Sequence, residues 1–188
     1  MKKILGMASL MALSGCVTYS KSVSVTEAAS PDSAYIYGSF KIDAPKSWLA
    51  MQGHQSMGFV FTCMDKKKYT IGFKVENPLQ LVKIPPTQCT LTDIVYSDAD
   101  GMVMSTKPLT ADAFSNRLFA AGKAYYLGDY FAKSENKYNF SYTTTTWEIV
   151  DVKDNYIQTT QDMLRVYPNM RGFNTLPMPI IPADIWNR

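Results

Sequence analysis

The chain has 188 residues, 19 Lys+Arg against 16 Asp+Glu, a formal net charge of +3 and a single histidine, His54. That length suits one domain with a sizeable core, and so balanced a charge offers no basic cluster able to neutralise several phosphates, which argues against a nucleic-acid partner. With one histidine and three cysteines at no C-x-x-C spacing, no metal and no cofactor is expected.

Lys2 and Lys3 precede a mostly apolar run, Ile4–Leu13, which is too short to span a bilayer as a helix and ends in small residues. Those are the features of a secretory signal. The run closes on Leu13-Ser14-Gly15-Cys16, which resembles the lipobox of bacterial lipoproteins. The resemblance implies a signal peptide over residues 1–15, lipid on the Cys16 thiol, cleavage before Cys16 and acylation of the new amino terminus. Each buried methylene adds about 0.8 kcal/mol, so two or more acyl chains anchor a domain to a membrane without spanning it. In that family an aspartate after the cysteine favours retention in the inner membrane; here Val17 follows, and the outer membrane is expected. The alternative is a plain secretory signal that happens to contain a cysteine. Removing the first 15 residues leaves 173 and takes the net charge to +1.

Residues 17–33, VTYSKSVSVTEAASPDS, are small and polar, so 16–33 is expected to be a lipidated N-terminus and flexible tether reaching roughly 20–25 Å. A first strand over Ser22–Thr26, suggested by Val23 and Val25, is the alternative. From Ala34 to Arg188 the pattern is that of one β-rich domain. In Ala34–Ile42, Ile36, Phe40 and Ile42 share one face and Tyr35, Tyr37 and Lys41 the other, while Gly38 on the apolar face leaves room for a close neighbour or a bulge. Met57–Met64 and Tyr69–Glu76 around Lys66–Lys68 make the clearest hairpin, with the lysines at a solvated tip. Leu79–Ile84, Cys89–Tyr96 and Met102–Lys107 are further strands, separated by Pro85-Pro86 and by Asp98-Ala99-Asp100-Gly101. That last turn lacks the remaining ligands of a calcium loop.

Thr110–Leu118 begins like a single helical turn. Gly122–Lys133 is a strong strand, Ser134–Lys137 its turn, and Lys137–Val152 either two strands or one bent by a bulge. Asp154 or Asn155 then caps a helix through Val166, with Ile157, Leu164 and Tyr167 on one stripe, and Pro168 stops it. The tail beyond Gly172 contains Leu-Pro-Met-Pro-Ile-Ile-Pro and is expected to lie extended along the domain.

Seven or eight short strands with one C-terminal helix predict an antiparallel β-sandwich. Ile84-Pro85-Pro86 with Cys89-Thr90-Leu91-Thr92, and Ala121-Gly122-Lys123-Ala124-Tyr125-Tyr126-Leu127-Gly128, resemble small uncharacterised envelope lipoproteins with a transthyretin-like sandwich. In an oxidising envelope, Cys63 and Cys89 are expected to form one disulfide, two buried thiols being the alternative. An envelope hydrolase would have to work through His54, but Gln52-Gly53-His54-Gln55-Ser56-Met57-Gly58 misses the G-x-S-x-G spacing, and Asp93 and Asp129 are the only carboxylates in strongly apolar contexts. No catalytic residue is assigned. The expected role is therefore a lipid-anchored binding or structural module, with an accessory subunit of an envelope or secretion assembly as alternative and an envelope protein as partner. Abundant tyrosine, including Tyr35, Tyr37, Tyr125, Tyr126, Tyr130, Tyr138 and Tyr142, suggests an outer sheet face for recognition, the alternative being ordinary strand formers.

Overall fold

The computed structural model describes residues 20, 22–43, 56–75, 77–97, 103–108, 114–138 and 143–180, with backbone alone for 97, 103–108, 134, 136, 138 and 143–147. The signal segment, Cys16, His54, the Asp98–Gly101 turn, Tyr142 and the residues after Ile180 lie outside the described residues.

The protein is mainly β, and its described strands form two sheets of five. The first sheet is ordered β10 (Asn174–Pro177), β8 (Lys123–Tyr138), β1 (Ala34–Asp43), β4 (Leu79–Ile84), with β9 (Thr143–Lys153) also on β8. The second is ordered β3 (Lys68–Lys74), β2 (Ser56–Cys63), β5 (Thr87–Ser97), β6 (Val103–Pro108), with β7 (Arg117–Phe119) joined to β5. Alternation builds both. Ile36 and Phe40 of β1, Phe59 and Phe61 of β2, Ile71 and Phe73 of β3 and Leu91 and Ile94 of β5 all enter one buried cluster between the sheets. Aromatic rings bridge the layers: Phe59 lies 4.8 Å from Tyr130, and Phe119 lies 5.8 Å from Phe61 and 5.2 Å from Tyr125.

Several details differ from the sequence reading. Among the described residues there are ten strands where seven or eight are expected, and the first sheet is mixed, because β1 and β10 both run parallel to β8. Alternation reports which face a strand buries but not which strand lies beside it, so direction was invisible. Arg117–Phe119 is a strand against Thr87–Cys89, not part of a helical turn. β8 continues through Ser134–Lys137, where a turn was expected, because Thr143–Lys153 pairs with it over its whole second half. The run Lys137–Val152, expected as two strands or one bent by a bulge, divides between the end of β8 and β9, and β9 carries a bulge at Val150, which has no opposite number between Asp151↔Phe131 and Ile149↔Ala132.

Helix α1 (Tyr156–Val166) and the 3-10 turn Pro168–Met170 form a third layer on the outer face of the first sheet. The buried stripe of α1 is Thr159 and Met163, continued by Tyr167, whereas Ile157, expected to belong to it, is 74% exposed. The stripe is set by what it meets: Tyr35, Tyr37, Leu81, Ala124 and Tyr126. This removes Tyr35, Tyr37 and Tyr126 from an exposed recognition face, whereas the side chains of Tyr138 and Tyr142 lie outside the described residues. Tyr35, Tyr37 and Tyr126 do point outward from the sheet, but the helix layer covers them completely, and Tyr125 and Tyr130 point into the core.

Nor is residue stretch 16–33 free coil over its second half. Ser22 bridges Val82 of β4, the Val23 amide donates to the Leu81 carbonyl at 2.9 Å, and Val23 is buried under the helix layer. Glu27 faces Lys83 at 3.9 Å, the Ser30 amide donates to Tyr35 Oη at 2.8 Å, and the Gly122 amide donates to the Ser33 carbonyl at 2.9 Å. Of the alternative, a first strand over Ser22–Thr26, a single bridge at Ser22 forms at the sheet edge, and Val25 and Thr26 lie in a turn.

Candidate functional site

Two regions gather the residues with chemical character among those described: the end of the sandwich at the β2–β3 tip, and the interface between α1 and the first sheet.

At the first, β2 and β3 are joined by a tight tip. The Lys66 amide donates to the Cys63 carbonyl at 2.8 Å and the Cys63 amide to the Lys67 carbonyl at 3.0 Å, with Lys66 in the left-handed region at φ 60°. Asp65, itself exposed, fastens the tip. Its carboxylate accepts from the Lys67 amide at 3.0 Å and from Tyr69 Oη at 2.9 Å, and the amide bond first of all holds its carboxyl below the usual range. The lysine side chains of Lys66, Lys67 and Lys68 are left exposed, together with Met64 at 70%. Behind the tip, Cys63 and Cys89 form a disulfide across β2 and β5, their Cα atoms 3.9 Å apart in direct register. The neighbouring bond from the Met64 amide to the Gln88 carbonyl makes the cysteines a non-hydrogen-bonded pair, the closest kind of antiparallel neighbour. The two cysteines left once Cys16 is set aside are thus paired, as their even number in an oxidising setting suggests.

Ser20 sits beside the same tip. Its amide donates to the Thr70 carbonyl at 2.8 Å, and its Oγ accepts from the Thr70 amide at 3.1 Å. Ser22 then crosses to β4, where its Oγ hydrogen-bonds Gln80 Oε1. The segment therefore ties β3 of one sheet to β4 of the other. Nothing in its small polar composition announced this, and only the Val23/Val25 alternation hinted at a sheet contact.

At the second region Asp129 is 8% exposed and turned toward the start of α1. Thr159 Oγ1 lies 2.8 Å from its Oδ2 and 3.0 Å from its Oδ1, and Asn155 Nδ2 donates to Oδ2 at 3.1 Å. No acidic residue occupies the first turn of α1, and Asn155 makes no side-chain cap of its own. Asp129 thus supplies from the strand the negative charge that a helix N-terminus favours. Around it, Tyr126 Oη accepts from the Asn155 amide at 3.1 Å and donates to the Lys153 carbonyl at 3.1 Å, Tyr37 Oη meets Thr160 Oγ1 at 2.6 Å, and Tyr156 Oη donates to the Thr175 carbonyl at 2.7 Å. Burial pushes the Tyr37 and Tyr126 phenols above their ordinary value, so both stay neutral donors and acceptors. This arrangement fastens helix to sheet.

Asp93, the other carboxylate singled out, belongs to β5 of the opposite sheet and accepts from its neighbour Thr92 Oγ1 at 2.8 Å. Both aspartates alternate with core residues and so face away from the core on opposite sides of a sandwich whose layers stand about 10 Å apart. The fold does not bring them together as an acid–base pair. Among the described residues no group of three or more His, Cys, Asp or Glu side chains could hold a metal ion.

No family model and no curated protein matches the chain. Among solved structures it is similar to a leucine-rich repeat protein from Bacteroides thetaiotaomicron VPI-5482, at 11% identity and a TM-score of 0.34, over 66% of this chain and 19% of that one. It is also similar to a candidate cell adhesion protein from Bacteroides fragilis NCTC 9343, at 10% identity and a TM-score of 0.24, over 66% of this chain and 47% of that one. The chain spans less than half the length of either, and likeness at these TM-scores carries no argument about function.

Proposed function

We propose that the protein is a lipid-anchored envelope lipoprotein, held in the outer membrane through Cys16, whose β-sandwich works as a binding or structural module at the membrane surface. The observation that carries this reading is Leu13-Ser14-Gly15-Cys16 at the end of a short apolar run behind two lysines. The resemblance of two strand motifs to envelope lipoproteins with a transthyretin-like sandwich supports the same setting. Among the described residues no helix is long and apolar enough to cross a membrane. A binding role is further supported by the use to which the polar side chains are put: Asp129, Thr159, Asn155 and the buried tyrosines are engaged with one another, holding the helix layer to the sheet.

Mass spectrometry of the mature chain purified from membranes tests the anchor. The expected N-terminal residue is an acylated Cys16, and Cys16→Ser is expected to release or mislocalise the protein. An unmodified chain starting elsewhere would remove the reading. Cross-linking in cells then names the protein partner, while His54→Ala is expected to leave any cellular phenotype intact; loss of function from that change alone, with the fold unaltered, would bring an enzymatic role forward.

A further inference from the structure

We propose that the β2–β3 tip, Lys66–Lys68, docks the domain onto the anionic phospholipid leaflet that holds the Cys16 lipid, so that the sandwich stands on this end. The inference rests on lipidation at Cys16. Three observations meet at this end. Ser22 pairs antiparallel with Val82, so the chain before Ser22 runs in the direction of β4, toward the end marked by Ile84, Thr87 and the Cys63–Cys89 bridge. Ser20 is hydrogen-bonded in both directions to Thr70, two residues from Lys68. Cys16 precedes Ser20 by four residues, which reach about 14 Å at most whatever their conformation. A lipid on Cys16 therefore lets the tip reach the headgroups, where an anionic leaflet acts on basic side chains.

The charge at this end suits such a surface. Asp65 offsets one of the three tip lysines, leaving two net positive charges, and exposed Arg117, paired with Cys89 behind the tip, adds another. Asp65 accepts from the Lys67 amide and Tyr69 Oη, which ties its carboxylate to the tip backbone and to β3, while Lys66, Lys67 and Lys68 are exposed with Met64 beside them. Two net charges, at about a fivefold bias for each basic group near such a leaflet, favour the docked over the undocked pose by roughly thirtyfold at low salt.

The full acylated protein is reconstituted in vesicles of phosphatidylcholine alone or of phosphatidylcholine with phosphatidylglycerol, and its lysines are acetylated under limiting reagent and read by mass spectrometry. Lys66, Lys67 and Lys68 are expected to react several-fold more slowly on the anionic vesicles, an effect that high salt removes. Lys133 and Lys137, about 30 Å or more along β8 from Lys123, are expected to react equally on both. As a second measurement, peroxide oxidation of Met64 is expected to slow on anionic vesicles in the wild type but not in the triple variant Lys66→Gln, Lys67→Gln, Lys68→Gln, whose altered side chains are all exposed. Equal reactivity of the tip lysines on both vesicles, or equal protection at Lys133 and Lys137, overturns the docking while leaving the anchor in place. The N-terminal peptide from the same sample separates the two: an unacylated Cys16 removes anchor and docking together.

Discussion

β1 and β8 pass closely at Gly38, where a Cβ would meet backbone, and Gly38→Ala tests that passage. Tyr37 pairs with Tyr126 and Ser39 with Asp129, so Gly38 alone opposes both Leu127 and Gly128. Gly128 takes a φ of +125°, and its carbonyl oxygen would lie 2.7 Å from a Cβ at position 38, with Phe73 Cζ at 3.4 Å on the other side. The offending atom is backbone held in the sheet, so one strand must move. Overpacking of this kind costs about 1–3 kcal/mol, against which the stiffer unfolded chain of an alanine returns about 0.4–1 kcal/mol. A net loss of about 1–2 kcal/mol is expected, read as a lower urea midpoint at unchanged slope and as a melting temperature lower by about 2–8 °C. Gly172→Ala is the control, because a Cβ there meets nothing within 4 Å, and it is expected to be neutral or slightly stabilising. Gly122→Ala separates backbone strain from steric conflict: its φ is +70°, yet the nearest atom is Pro31 O at 3.4 Å, so about 1 kcal/mol is expected from conformation alone. A Gly38→Ala protein as stable as the wild type would refute the close β1–β8 passage.

Removing the disulfide with Cys63→Ala and Cys89→Ala frees a loop of 26 residues and is expected to cost about 3.5 kcal/mol in the chain-entropy account; recovery of two alkylatable thiols from native material would instead deny the bridge. Asp129→Ala takes the acceptor from Thr159 and Asn155 and is expected to cost about 1–3 kcal/mol, with hydrogen exchange accelerating in α1 before it does in β2 and β5; uniform loss of protection would count against a local helix-fastening role. Tyr37, Tyr96, Tyr126 and Tyr130 have phenols raised by burial, so the unfolded chain loses their protons first. Their contribution to stability is complete below the ordinary tyrosine value of about 10 and falls as pH climbs above it. Tyrosinate absorbance should therefore rise in step with loss of near-ultraviolet circular dichroism, and complete ionisation of the folded protein would contradict their burial.

The reading of face and of punctuation needed only local sequence. Period-two alternation placed Ile36, Phe59, Phe61, Ile71 and Phe73 in the core, the Lys66–Lys68 run marked the hairpin tip, and Gly38 on an apolar face signalled a near neighbour, because each is dictated by residues adjacent along the chain. The Cys63–Cys89 pairing was legible for a similar reason, only two cysteines remaining once Cys16 is set aside. Leu13-Ser14-Gly15-Cys16 is legible in sequence alone.

What the tertiary structure decided was everything that depends on a distant partner. The parallel course of β1 and β10 beside β8, the cover that α1 places over Tyr35, Tyr37 and Tyr126, and the inward turn of Thr159 rather than Ile157 follow from which surfaces meet, not from local period. The same holds for the anchor end. Ser20 and Ser22 look like linker because their side chains are small and polar, yet with backbone and hydroxyl groups together they bond the edge strands β3 and β4, a use of hydrogen-bonding groups that composition does not reveal.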